Sequence, residues 1–380
     1  MWLRNGFVFT ANHVFQKLDV RIEKDCMIQI GLPASSSPVG DDVDLTGLFL
    51  IPGLIDLHIH GFGGINVMTA DETALNRMSL ALAKAGVTSF VATTTTLAPP
   101  NIKRALHEIS LAKRHGPTGA RIQGAYLEGP FISPAKKGAM QEGYILQPDP
   151  AVLQDFLDID PGLVKIVAVA PECPGAPALI RCCTEQGVVA SIAHTAASYE
   201  QAEAAIRQGA SQLTHLFNAM PGLHHRDPGP IGAAIDNPVT AELICDGRHI
   251  HPSVLRAAYK MLGCKKIVMI SDAIPFAGLG DGEYEMDGVK TIVRDGLSRL
   301  EDGTINGNVH SLADGLKSAV SFGIPLEDAI QMATINPARI LGVDSVLGSV
   351  APGKKADLTV LNQDLSVRSA YVGGRCFPRL

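Results

Sequence analysis

The sequence predicts a (β/α)8 barrel carrying a small β-sandwich built from the two chain ends. Three observations predict it. Eight short runs rich in Val, Ile and Ala recur between residues 50 and 273, each as continuously apolar as a parallel sheet covered on both faces requires. Helix-forming stretches separate the runs. His58, Glu128, His194, His215 and Asp272 stand at the ends of five of them, where such barrels keep their chemistry.

In order, the runs are LIPGLIDLH (50–58), VTSFVATTT (87–95), RIQGAYLEG (121–129), VKIVAVAPE (164–172), VVASIAHT (188–195), QLTHLFN (212–218), AELICDG (241–247) and KKIVMISDA (265–273). Between them, Asp71 to Ala85 and Tyr199 to Gln208 are rich in helix formers, and Gly86 and Gly209 act as C-terminal stops. Leu312 to Phe322 and Leu326 to Ile340 read as further helices. An open doubly wound sheet is the rival architecture, but no GxGxxG-type loop follows the first run. Residues 1–50 differ in texture: GFVFT, LDVRIEKDCMIQIG and DVDLTGLFL read as short strands with turns. The tail, LGSVAPGKKADLTVLNQDLSVRSAYVGG, reads alike. Segments 1–50 and 346–380 are therefore expected to meet in one β-sandwich beside a barrel spanning 51–345.

Composition narrows the class of protein. Of 380 residues, 18% are charged and 46% hydrophobic, with a net charge of −6 and no block of like charge. That excludes a disordered chain and a basic nucleic-acid surface. Seven cysteines form no CxxC pair, so reduced thiols in an intracellular protein are expected. The N-terminal MWLRNGFVFTANHVF has no sustained apolar core of a signal peptide, and no segment has the length of a membrane span. A cytoplasmic protein without membrane or nucleic-acid partners is the expectation.

Chemistry enters with LIDLHIHGFGG (54–64). Residues two apart on a strand share a face, so His58 and His60 point the same way. Alone, an HxH pair fits two hydrogen-bonded histidines as well as two metal ligands. The other strand ends decide: Glu128 closes the third run, His194 the fifth, His215 the sixth and Asp272 the eighth. Four imidazoles and two carboxylates converging on one barrel mouth suit Zn²⁺ first, with Fe²⁺ or another transition metal as alternatives. The lack of cysteine argues against a closed structural zinc site. Glu128 is placed to bridge two ions. A divalent ion brings water to the nucleophilic state near neutral pH, and Asp272 can take the proton and return it to a leaving amine. Hydrolysis of an amide follows, with an ester as the second reading.

The chain resembles the amidohydrolase superfamily and, within it, the N-acetylglucosamine-6-phosphate deacetylases. The matching stretches are PGLIDLHIHG, LEGPFISPAKKGA, APE, AHT, THLFNAMPGLHHRDPG, DGRHIHP and SDAIPFAG, with the superfamily tail ATINPARILG and LGSVAPGKKADLTVLN. The resemblance implies that Glu128, His194 and His215 bind the main metal and that His58 and His60 hold a second ion, as in some members. It places the catalytic acid/base on Asp272. It puts Asn218 and the Ala219 N–H on a phosphate-binding turn, and Arg226 and His249 on the phosphate across a homodimer interface. An Arg fork matches phosphate oxygens bidentately, so a net-acidic protein can still select an anionic sugar. Ala139 and Met140 fall on substrate-lining positions. The implied reaction releases acetate from N-acetylglucosamine 6-phosphate; N-acetylgalactosamine 6-phosphate or another N-acyl or cyclic amide is the alternative. Relatives that bridge their metals with a lysine are disfavoured, because Lys165 stands at the wrong end of the fourth run.

Two departures stand out. Met140 replaces a histidine that in the family polarises the substrate carbonyl; that task passes to a second ion or to His224 or His225, or the substrate differs, or Met140 simply packs against a sugar face or the core. The segment TINGNVHSLADGLKSAV (304–320) differs from the family turn and brings in His310, which reads as a loop histidine. A barrel that had lost its metal and become a scaffold is disfavoured by the intact ligand set.

Overall fold

The computed structural model describes residues 1–33 and 40–379; residues 34–39 and 380, which fall in the two terminal segments, lie outside the described residues. The eight runs form β1 (Leu54–Ile59), β2 (Val87–Thr94), β3 (Arg121–Leu127), β4 (Val164–Val169), β5 (Val189–Ile192), β6 (Gln212–Leu213), β7 (Thr240–Ile244) and β8 (Ile267–Ile270). They are hydrogen-bonded in sequence order, every pair parallel. Every residue of β1 and β2 is buried, because helices cover one face and barrel side chains the other. The ends of β1 and β8 nearly close the barrel: the Asp272 N–H donates to the His58 carbonyl at 3.0 Å and the His60 N–H to the Ala273 carbonyl at 2.8 Å.

Local signals place the helices. Asp71 caps Glu72–Lys84 by accepting from the Ala74 N–H at 2.7 Å, and Gly86, at φ +91°, turns the chain back into β2. Ser198 and Gln201 form a capping box on Tyr199–Arg207. The helix expected over 326–340 is two helices, Leu326–Ala333 and Ile335–Ile340. Pro337 explains the break, since it has no N–H for the Ala333 carbonyl and its ring crowds that oxygen.

The chain ends do meet. Strands Trp2–Phe9, Phe15–Glu23, Cys26–Gly31 and Phe49–Pro52 join Leu358–Leu361, Val367–Val372 and Arg375–Pro378 in one sheet, with Val43–Asp44 beside the first strand. The junction is the antiparallel pairing of Phe49–Pro52 with Leu358–Leu361. The sheet curls until the Met27 N–H donates to the Lys354 carbonyl and the Ala356 N–H to the Asp25 carbonyl, at 2.9 and 2.8 Å. Leu3, Val8, Val20, Met27, Leu50, Leu358 and Tyr371 make its own core. The two layers of this small β domain are thus parts of one curled sheet.

The first apolar run divides at Gly53, where the chain leaves the terminal sheet and enters β1. A Cβ there would lie 2.0 Å from Thr88 Oγ1 and 2.7 Å from Thr88 Cβ, so only glycine fits. Gly53→Ala is expected to cost about 1–3 kcal/mol through overpacking, read as a lowered midpoint in chemical denaturation.

Beyond β8 lies a three-stranded antiparallel sheet, Gly282–Met286, Val289–Arg294 and Leu297–Leu300, which the apolar-run reading did not anticipate. Its strands are short and interrupted by Glu283, Glu285, Lys290, Arg294 and Arg299, so they form no long apolar run. The signal was Asp287-Gly288, both at positive φ, a dipeptide suited to a two-residue hairpin turn.

Candidate metal centre and active site

Where the barrel closes, six side chains turn toward one region. His58 Nε2 lies 3.2 Å from His60 Nε2, and both nitrogens lie 3.4 Å from Asp272 Oδ1. Beside them, Glu128 Oε1 lies 2.8 Å from His215 Nε2 and 3.2 Å from His194 Nε2. Two three-ligand clusters result, His58–His60–Asp272 and Glu128–His194–His215, all buried. Glu128 faces both: Oε2 is 3.0 Å from His60 Nε2, and Oε1 is 3.4 Å from His58 Nε2. Donors around one tetrahedral ion at about 2.0 Å stand roughly 3.3 Å from one another, so these separations fit metal-ligand spacing.

The outer nitrogens support that reading. His58 Nδ1 is 3.0 Å from Glu242 Oε2, and His194 Nδ1 is 2.9 Å from the Lys136 carbonyl. Each acceptor favours a proton on Nδ1 and leaves the Nε2 lone pair for a cation. The field agrees. Burial disfavours charge on His60, but hydrogen bonds to Asp272 and Glu128 outweigh it and push its pKa up to about 9. Burial likewise opposes ionisation of Glu128, yet the neighbouring His58, His194 and His215 hold it well below the usual carboxylate range. This pocket attracts positive charge. Neutral nitrogen and carboxylate donors without thiolate, all turned inward, fit a catalytic divalent ion.

Backbone strain marks the same residues. His194, His215 and Asp272 have φ of 41°, 27° and 53°, in the left-handed region that costs a non-glycine residue about 1–3 kcal/mol. The surrounding barrel imposes it: the Asp272 carbonyl accepts from the Asn308 N–H at 2.8 Å while its own N–H is bound to His58.

A cavity of about 310 Å³ opens over the clusters. Asn218, Ala219, His249, Ala139 and Met140 line it together with His60, Glu128, His194, His215 and Asp272. His249 is held by Asp246, Nδ1 to Oδ2 at 2.6 Å. Arg226 stands apart on an exposed loop, its Nη1 2.8 Å from His225 Nε2. His224 pairs with Asp227 at 3.3 Å on the same loop, and neither His224 nor His225 lines the cavity. Met140 Sδ lies 3.5 Å from the Thr96 nitrogen, so a thioether that donates no hydrogen bond forms this part of the wall. His310 sits half-buried beside Gly296, whereas Thr304 to Gly307 of the divergent segment reach the cavity. Lys165 lies near the start of β4, away from the strand ends that carry the ligands.

Sequence reasoning missed two residues. Glu242 was legible as a charge inside the apolar run AELICDG. Asp287 enters the cavity wall from the hairpin tip, held by Asn66 Nδ2 at 2.8 Å and Thr95 Oγ1 at 3.4 Å.

A parallel barrel with clustered histidines and carboxylates at its strand ends, beneath a cavity, defines a metal-dependent hydrolase. Residues 49–376 match the model of the Amidohydrolase family, and the chain belongs to that family. The N-acetylglucosamine-6-phosphate deacetylase of Vibrio furnissii is 37% identical over 88% of this chain and 84% of its own length. The N-acetylgalactosamine-6-phosphate deacetylase of Escherichia coli O157:H7 is 37% identical over 86% and 87%. Among solved structures, a mutant N-acetyl-D-glucosamine-6-phosphate deacetylase from Mycobacterium smegmatis, in complex with N-acetyl-D-glucosamine-6-phosphate, superposes with a TM-score of 0.92. It is 33% identical, with 100% of this chain and 99% of that one covered. Among the described residues no helix is long and apolar enough to cross a membrane.

Proposed function

We propose that the protein hydrolyses the acetamide of N-acetylglucosamine 6-phosphate, giving glucosamine 6-phosphate and acetate. The observation that carries this reading is that one cavity is lined by five of the six clustered side chains, His60, Glu128, His194, His215 and Asp272, together with Asn218, Ala219 and His249. Zn²⁺ is the proposed ion, with Fe²⁺ as alternative. Glu128, His194 and His215 would hold the main ion, and His58, His60 and Asp272 a second. Bound there, the ion activates water for attack.

The chain's own residues do the rest. Asp272 accepts the water's proton at a carboxylate oxygen and delivers it to the amide nitrogen as the carbon–nitrogen bond breaks. Asn218, the Ala219 N–H and His249 hold the phosphate. Arg226 is exposed and outside its own chain's cavity, so we propose a homodimer in which it completes the phosphate end of the neighbouring chain's site. The seven unpaired cysteines suit a reducing cytoplasm.

Met140 favours a second reading, in which another N-acylated amino-sugar phosphate, N-acetylgalactosamine 6-phosphate among them, is preferred. Acetate release from both phosphates and from unphosphorylated N-acetylglucosamine, by metal-loaded protein, separates the readings. Fast turnover that requires the phosphate and falls about tenfold or more in Arg226→Ala is expected. Faster turnover of the galactosamine ester would favour the second reading, and no turnover of any of them would discard the sugar.

A further inference from the structure

Glu242, a carboxylate beside the site, has no exposed surface. It lies inside the barrel on β7, beneath the ligands, and faces both clusters. Oε2 is 3.0 Å from His58 Nδ1 and accepts from the His215 N–H at 3.2 Å, while Oε1 accepts from Gln212 Nε2 at 2.6 Å. Every contact of this carboxylate is to a barrel strand or a strand-end ligand. An ionisable side chain in an otherwise apolar strand is costly unless its partners require it.

We propose that Glu242 is a positioning residue that prepares His58 to bind a cation. The argument rests on the metal reading above. A carboxylate on Nδ1 fixes the tautomer and ring orientation of a ligating histidine and strengthens the opposite nitrogen as a donor. Of the six ligands, only His58 has this partner, whereas His194 uses a neutral carbonyl. Charge points the same way. With the four imidazoles neutral as metal ligands, Glu128, Asp272 and Glu242, counted as carboxylates, give these seven side chains three negative charges. One divalent cation leaves the set negative, and a second reverses the sign. Glu242 therefore favours filling the His58–His60–Asp272 cluster as well as the cluster around Glu128.

Titration of chelator-stripped protein with Zn²⁺ and with Co²⁺ tests this directly. Wild type is expected to take two ions per chain. Glu242→Gln, close to isosteric, is expected to keep the first ion with an unchanged Co²⁺ absorption spectrum and to bind the second about 10–100-fold more weakly. In a His58→Asn background, adding Glu242→Gln should cause no further loss, because the residue acts through His58. Wild type that takes one ion only, a variant that binds both as tightly as wild type, or a further loss in the double variant would each overturn the proposal. Should Glu242→Gln fail to fold, nitrogen-15 NMR of histidines in metal-loaded wild type decides. A proton on His58 Nδ1 is expected, and one on Nε2 would refute the role. Ion counts do not depend on the substrate, so a failed acetate assay would overturn the sugar reading and leave this one intact.

Discussion

Asp272→Asn is expected to keep the main ion held by Glu128, His194 and His215 and to lose turnover by about 10³-fold, within the 10²–10⁴ that a positioned acid/base supplies. The variant changes one atom. Its backbone is set by the bonds to the His58 carbonyl and the Asn308 N–H, which asparagine makes equally well, so the side chain stays over the cavity. What disappears is the capacity to take a proton from water and return it to the leaving nitrogen. Burial raises the Asp272 pKa, but the charge of His58 and the hydrogen bond from His60 outweigh that and leave it lowered. The carboxylate is thus ionised and ready to accept a proton. Single-turnover acetate release with metal content measured on the same sample is the check. Undiminished turnover at full metal content would end the proposed role. Loss of metal in parallel with activity would make Asp272 a ligand first.

Glu128→Gln should have the broader effect, because both clusters meet at this residue. Its two oxygens contact four histidine Nε2 atoms, and an amide offers one acceptor, no charge and an NH₂ aimed at a ligand nitrogen. Metal content is expected to fall below one ion per chain and acetate release to below about 10⁻³ of wild type. Stability should drop too. A ligand present at about a thousand times its dissociation constant contributes roughly 4 kcal/mol, about 5 °C in midpoint for a chain of this size. Wild type stripped by chelator should therefore melt near the variant, and restored metal should raise only the wild type. A variant that regains wild-type thermal stability with added metal would show that the clusters do not depend on Glu128.

The outline of the barrel was legible in the sequence because parallel strands covered on both faces must be apolar along their whole length. Gly86 and Gly209 marked helix ends for equally local reasons. The alternation in LIDLHIHGFGG gave the shared face of His58 and His60, since strand periodicity belongs to the backbone. Short strands interrupted by charge, such as the hairpin around Asp287, carried no such signal.

The six ligands could be named one at a time from strand ends. That they face one another within hydrogen-bonding distance follows from barrel closure, which brings β1 to β8 across more than two hundred residues. Glu242 shows the limit most clearly: its charge is visible in AELICDG, but its partner His58 is 184 residues away. Arg226 shows it again, since the sequence offers a phosphate partner and the folded chain puts it on an exposed loop. The sequence by itself determined the strands, the helix ends and the chemical types of the ligands, because these depend on neighbours along the chain. Only the tertiary structure decided how far apart the clustered side chains stand, which carboxylate meets which imidazole and which wall Met140 occupies. Those are distances between residues remote in sequence, and closure of the barrel alone sets them.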